Sequence, residues 1–166
     1  MKAEFDNTVS ILVKAWLDGT LLKGHCCACA VGNICATSLG VKVVGIVRPD
    51  ETLPLWQQER QASWAGYDED SAEWRMVFMT TPDGLQSIDA DNYHGQARRE
   101  IEATGYSWQE LARIEFAFET AEYGYDEAAE FAGLMAVVDV LADIHGIDLA
   151  TAEVAKGLFV KEAASC

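Results

Sequence analysis

One stretch of the chain, FAGLMAVVDVLADIH at residues 131–145, is apolar on nearly every side of a helix. Only Asp139 and Asp143 interrupt it, and Gly146 follows as a typical helix stop. A helix that is apolar all round must be covered by other elements, so we expect it to lie at the centre of the fold. Asp126, just upstream, is suited to cap its first turn.

Five more segments have helical spacing of apolar residues or a helix start signal. Ser107 with Glu110 three positions later is a capping box, in which each side chain accepts the other residue's backbone N–H. Asp6 and Asp148 are further candidate caps. The sequence thus predicts a mainly α fold, a helical bundle of about five to six helices with a small β-hairpin in the middle. The predicted helices cover residues 7–18, 27–36, 94–105, 107–121, 127–145 and 149–161.

The middle of the chain has a different pattern. VKVVGIV at 41–47 has strand composition, and WRMVFMTT, PDG and LQSI at 74–88 together predict a hairpin. Residues 50–73 carry Trp56 and Trp64 among many polar residues, and we predict a loop with one short helix whose aromatic rings pack on the helical core. The expected organisation is a single globular helical domain over residues 1–166, with a variable, loop-rich insert at about 37–93.

The charge balance excludes several function classes. The chain has 12 basic and 27 acidic residues, a net charge of −15, which repels nucleic-acid phosphates and anionic membranes. We therefore expect no direct nucleic acid binding. We also find no signal peptide and no window of roughly twenty apolar residues, so no membrane association and a cytoplasmic location are predicted.

The segment GHCCACAVGNICA, residues 24–36, holds four of the 5 cysteines. If it is helical, Cys26, Cys29 and Asn33 share one face while Cys35 points nearly opposite. Such a helix cannot gather all four sulfurs around one ion. Any site is therefore predicted to centre on Cys26 and Cys29.

Three roles for these cysteines stay open. In a metal site for zinc or iron, Cys26 and Cys29 supply two ligands, and the others come from His25, Cys27 or a carboxylate. The two remaining histidines, His94 and His145, are further candidates. In a redox dithiol, Cys26 or Cys27 lies at a helix N-terminus, which favours the thiolate. In the third role, the cysteines only pack a close helix contact.

Two carboxylates fall on apolar helical faces. Glu115 lies within the apolar stripe of the helix at 107–121, and Asp139 lies on the central helix. A buried carboxylate needs a hydrogen-bond donor, a proton or a cation. The sequence predicts a buried polar site of Asn33, Glu115 and Asp139, near the Cys26 face if it is functional.

Several of these motifs occur together in one known family. The chain resembles a family of short uncharacterised bacterial proteins with a C-x-x-C-A-V-G-N motif, whose members are often labelled as a component of the sodium-translocating NADH-quinone reductase. The resemblance implies a shared fold and no activity, because the C-x2-C-x5-C order is not the plant-type ferredoxin spacing and the chain is too short for flavin and nicotinamide domains. The matching residues are Asp18 to Leu21, Cys26, Cys29 to Asn33, Gly105 to Ser107, Glu110, Leu111, Ile114, Glu115 and Gly133 to Asp139.

Two function classes remain, and neither is a defined enzyme. The absence of a complete catalytic set favours a small acidic binding or regulatory protein that acts on a protein partner through its acidic, aromatic-bearing surface. The alternative is a metal- or thiol-dependent (redox) protein that uses the Cys26/Cys29 pair.

Overall fold

A computed structural model describes residues 2–67, 72–74, 78–81, 84–87 and 95–161 of the chain. The fold is mainly α, as predicted, with short antiparallel strand pairs between the second and third helices. The helices are α1 (Lys2–Asp18), α2 (Ala30–Leu39), α3 (Gly95–Thr104), α4 (Trp108–Thr120), α5 (Glu127–His145) and α6 (Leu149–Gly157). The strands are β1 (Val43–Val47), β2 (Gln61–Trp64), β3 (Phe78–Thr81) and β4 (Gly84–Ser87).

Helix α5 has the central place that its apolar sequence predicts. It packs against α1, α4 and α6, and Val137, Val138 and Leu141 are fully buried. At Gly133 a side chain would meet the Phe118 carbonyl oxygen at 2.5 Å, so only glycine permits this close crossing of α4 and α5. In the part of the chain that the structure describes, no helix is both long and apolar enough to cross a membrane.

The predicted capping signals are confirmed in the three last helices. The Ser107 hydroxyl accepts the Glu110 N–H, and the Glu110 carboxylate accepts the Ser107 N–H. The Asp126 carboxylate accepts the Ala129 N–H at the start of α5, and the Asp148 carboxylate accepts the Thr151 N–H at the start of α6. Gly146 ends α5 in the left-handed conformation, with φ of 64°. These boundaries depend on contacts within a few residues, which explains why the sequence reveals them.

The predicted start of α1 at Asp6 is wrong. The helix begins at Lys2, and Asp6 lies inside it, where it pairs with Lys2 at 3.7 Å. Phe5 is 1% exposed and contacts the His145 ring edge to face, with 6.4 Å between ring centroids. Burial of Phe5 against a distant helix therefore stabilises the additional first turn.

The predicted start of the helix in the cysteine segment is wrong. Helix α2 begins at Ala30, and residues 26–28 form a turn instead of a helical repeat. Cys29 is the N-cap: its Sγ accepts the Gly32 N–H at 3.3 Å. The expectation that Cys26, Cys29 and Asn33 share one helical face therefore fails, because Cys26 precedes the helix.

The middle segment contains one strand that the sequence analysis missed. β1 pairs antiparallel with β2, and Val43 lies opposite Trp64, within the stretch predicted as loop. The predicted short helix is a 3₁₀ turn at Leu55–Gln57. The predicted hairpin is confirmed as β3 and β4. Residues 75–77, 82–83 and 88 of the predicted hairpin segment lie outside the described residues. Trp64 packs on the core at 1% exposure as predicted, whereas Trp56 is 82% exposed.

Candidate metal centres

Two buried tryptophans hold the turn that carries the cysteines. The Trp64 indole N–H donates to the Cys27 carbonyl at 2.8 Å, and the Trp74 indole N–H donates to the Cys26 carbonyl at 3.1 Å. Both rings are 1% exposed. The strand pair and the following loop therefore fix the backbone of this turn from outside the helices.

Asn33 holds the same turn from inside. Its side-chain N–H groups donate to the backbone carbonyls of Ala28 at 2.8 Å, Thr20 at 3.0 Å and Cys29 at 3.2 Å, and its Oδ1 accepts from the Thr20 hydroxyl. The residue is 4% exposed. Because its amide is fully engaged with the backbone, Asn33 positions the cysteines and does not itself offer a ligand.

Cys29, Glu115 and Glu119 form the first group of candidate ligands. One donor atom from each lies within 4.8 Å of those of the other two. Cys29 comes from the start of α2, and the two glutamates lie one helical turn apart on α4. The group therefore joins two helices that are distant in sequence.

Glu115 is the least satisfied member of this group. Its Oε2 is buried and has no hydrogen-bond partner among the described residues. Burial, then the negative charges of Glu119 and Cys26, raise the pKa of Glu115 to about 8, although hydrogen bonding with the Cys29 thiol opposes this shift. Without a cation, this carboxyl group holds a proton near neutral pH.

Glu119 is better supported. Its two oxygens both accept the Gly24 N–H, at 3.1 Å each. Burial raises the pKa of Glu119, while the Gly24 N–H and the positive charges of Lys23 and Arg60 act in the opposite direction. Glu119 therefore has a backbone donor and two nearby positive charges that favour its ionised form.

The Cys29 thiol is buried, which raises its pKa well above the ordinary value, and the nearby charges of Glu115 and Glu119 raise it further. The Gly32 N–H favours the thiolate, as expected for a cysteine at a helix N-terminus. In the absence of a metal ion the burial effect is larger, so the sulfur is a thiol. A cation would displace that proton.

His25, Cys26 and Cys27 form a second group of candidate ligands. Their donor atoms also lie within 4.8 Å of one another. His25 and Cys26 are half-buried and Cys27 is buried. A hydrogen bond with the Cys26 side chain, followed by burial, raises the pKa of the Cys27 thiol.

The structure separates residues that the sequence analysis had placed together. Cys26 and Cys29 belong to different groups, and Cys35 is buried outside both. The prediction that Asp139 is buried with Glu115 is wrong, because its side chain is 54% exposed and pairs with Lys156 at 2.8 Å. That position on α5 faces α6, whose lysine neutralises the carboxylate at the surface.

The two other candidate histidines do not join these groups. His145 Nε2 lies 2.8 Å from the Tyr106 hydroxyl, which in turn lies 2.7 Å from the Thr8 hydroxyl. These contacts connect α1, α5 and the start of α4. His94 lies outside the described residues.

Sequence reasoning missed two acidic residues near the cysteines, Glu119 and Glu100. Glu119 could have been found from Glu115, because residues four apart lie on the same helical face. Glu100 is 1% exposed on α3, a mostly polar helix whose sequence gives little sign that this one carboxylate is buried.

Comparisons with protein-family models, curated proteins and solved structures found no match to this chain. The family resemblance drawn from the motifs therefore stays a prediction. The fold and the two ligand groups are the basis for the functional proposals below.

Proposed function

We propose that this protein binds a divalent metal ion, zinc or iron, between Cys29, Glu115 and Glu119. The observation that carries the proposal is the buried Oε2 of Glu115, which has no hydrogen-bond partner among the described residues. Leaving a buried polar atom without a partner costs about 1–3 kcal/mol, and more for a charged group. A cation at this position removes that cost.

The donor set suits a metal ion, such as zinc, that is intermediate between hard and soft. One sulfur and two carboxylate oxygens are ligands that zinc accepts, at about 2.3 Å for sulfur and about 2.0–2.2 Å for oxygen. The donor atoms lie within 4.8 Å of one another, so small side-chain rotations bring them to these distances. Water can fill the fourth tetrahedral position.

The ligands also have a supporting shell. The Gly32 N–H donates to Cys29 Sγ at 3.3 Å, and the Gly24 N–H donates to the Glu119 carboxylate at 3.1 Å. Such outer contacts orient ligands and tune their basicity. Because the ion would join the start of α2 to α4, its first effect is to stabilise the fold.

The test is elemental analysis of protein purified without chelator, followed by dialysis against zinc. We expect one zinc or iron bound at this site in the parent chain, and loss of that ion in Glu115→Gln and Glu119→Gln. Glu122→Gln is the matched control, because Glu122 is exposed just beyond the same helix. A parent chain that takes up no zinc, or a Glu115→Gln variant that keeps the full amount, would contradict the proposal.

A role with a protein partner is the second candidate. Trp56 and Tyr123 are 82% and 87% exposed, and tryptophan and tyrosine are common anchors of protein interfaces. If Trp56 anchors a partner, Trp56→Ser should reduce recovery of one specific protein from a lysate of the source organism. Equal recovery with parent and variant would argue against it.

A further inference from the structure

The second group of ligands differs from the first in its chemistry. His25, Cys26 and Cys27 offer one imidazole nitrogen and two sulfurs, with no carboxylate in the group. Soft thiolate ligands suit Cu(I), zinc and iron–sulfur clusters, whereas carboxylate oxygens suit harder ions. Two neighbouring sites on one chain therefore have different metal preferences.

The backbone of the second group is held rigidly. Besides the two indole bonds to the carbonyls of Cys26 and Cys27, the His25 carbonyl accepts the backbone N–H groups of Ala28 at 3.0 Å and Cys29 at 2.8 Å. At Gly32 a side chain would lie 2.3 Å from the Cys26 carbonyl oxygen. The turn thus lies directly on the first turn of α2, and its three ligands are preorganised.

The imidazole of His25 has a nitrogen that accepts a hydrogen bond. His25 Nδ1 accepts the Cys27 N–H at 3.3 Å, which requires that nitrogen to be unprotonated. A metal-binding imidazole must also be neutral. This long hydrogen bond is weak and can be exchanged for a bond to a metal ion.

The buried carboxylate of Glu100 does not compete for the ion. Glu100 Oε2 accepts the backbone N–H groups of Trp74 at 2.7 Å and Glu73 at 2.9 Å, and its Oε1 accepts from Gln96 at 2.8 Å. Its oxygens are therefore engaged. Its negative charge still favours a cation near Cys26.

We propose that His25, Cys26 and Cys27 form a second site that binds one Cu(I) ion in three-coordinate geometry, independently of the carboxylate site. Binding would replace the two thiol protons by the copper ion, and the protons would pass to solvent. His25 and Cys26 are half-buried, so the ion can enter and leave without unfolding.

The test is anaerobic titration of the reduced chain against the coloured Cu(I) complex of bathocuproine. We expect the parent to withdraw one Cu(I) per chain. Loss of outer-shell contacts alone weakens metal sites by about 10–100-fold, so Cys26→Ser, which removes a ligand, should weaken binding by more than about 100-fold. Circular dichroism would confirm that the half-buried Cys26→Ser variant is folded.

Two control variants distinguish the copper site from the carboxylate site. Cys35→Ala removes a buried thiol outside both groups and should leave Cu(I) binding unchanged. Glu119→Gln should lose zinc and keep Cu(I). A parent that withdraws no Cu(I), a folded Cys26→Ser variant that binds as tightly as the parent, or loss of Cu(I) in Glu119→Gln would each overturn the independent copper site. Copper binding in a chain that takes no zinc would overturn only the carboxylate site.

Discussion

Glu100 on α3 and Glu115 on α4 are both buried carboxyl groups near the sulfur of Cys26. Burial raises the pKa of Glu100 to about 7 and that of Glu115 to about 8. Their hydrogen bonds differ. Glu100 accepts from two backbone N–H groups and from Gln96, whereas Glu115 has one buried oxygen without a partner in the described part of the chain.

The difference shows that a raised pKa does not by itself mark a metal ligand. Burial has the same effect on both carboxyl groups, but both oxygens of Glu100 have donors, whereas Glu115 Oε2 has none among the described residues. Glu100 ties the backbone at Glu73 and Trp74 to α3, which holds the Trp74 indole against the cysteine turn. Glu115 has an oxygen that still needs a proton or a cation.

The largest expected difference between the two residues is in zinc stabilisation. Zinc at about 100 to 1,000 times its Kd should raise the free energy of unfolding of the parent chain by about 3–4 kcal/mol. Glu115→Gln should abolish this increase, and Glu100→Gln should retain it. Urea unfolding with and without zinc measures the effect, and an equal loss in both variants would mean that the two carboxylates are not distinct.

The same substitutions should differ in the metal-free protein at pH 8. Glu100→Gln removes a charged acceptor from buried N–H donors, so we expect a loss of about 1–3 kcal/mol. Glu115→Gln removes a buried charge without a cation, so stability should be unchanged or higher. Chelator-treated samples in urea give both values. A destabilised Glu115→Gln variant would show that the ionised carboxylate has a partner that stabilises the fold.

The pH dependence of stability should separate the two groups further. Both pKa values are raised in the fold from about 4.5, so folding favours the protonated forms, and the contribution of these two groups to stability is largest below pH 4.5. The contribution of Glu100 should be lost as the pH rises through about 7, and that of Glu115 as the pH rises through about 8. The loss of stability is no more than about 1.4 kcal/mol per pH unit for each group. Metal-free Glu115→Gln should therefore lose less stability than Glu100→Gln between pH 7 and 8. Unfolding curves that fall equally in both variants would contradict this assignment.

The smallest effect is expected at Cys29 in the metal-free protein. Serine is a better N-cap than cysteine, so Cys29→Ser should keep the bond to the Gly32 N–H and change stability by less than about 1 kcal/mol. The same variant should lose zinc. If Cys29→Ser unfolds the metal-free chain, the sulfur has a packing role that its capping bond does not explain.

Some of these features could be predicted from sequence because they depend on neighbouring residues. The capping box of Ser107 and Glu110, the caps Asp126 and Asp148, and the left-handed stop at Gly146 each involve contacts within about four positions. The unusual place of Glu115 was also visible, because helical periodicity puts a carboxylate within an apolar stripe.

Other features were decided only by contacts between distant parts of the chain. Phe5 lengthens α1 by packing on His145, and Lys156 keeps Asp139 at the surface. Within the cysteine segment, the indole bonds from Trp64 and Trp74 hold a turn where periodicity predicted a helix. That turn places Cys26 and Cys29 in separate groups of candidate ligands. The sequence by itself determined that the candidate ligands would include both cysteine sulfurs and a buried carboxylate. Tertiary packing decided which of these atoms meet. The physical reason is that a hydrogen bond to a distant indole outweighs a weak local helical preference.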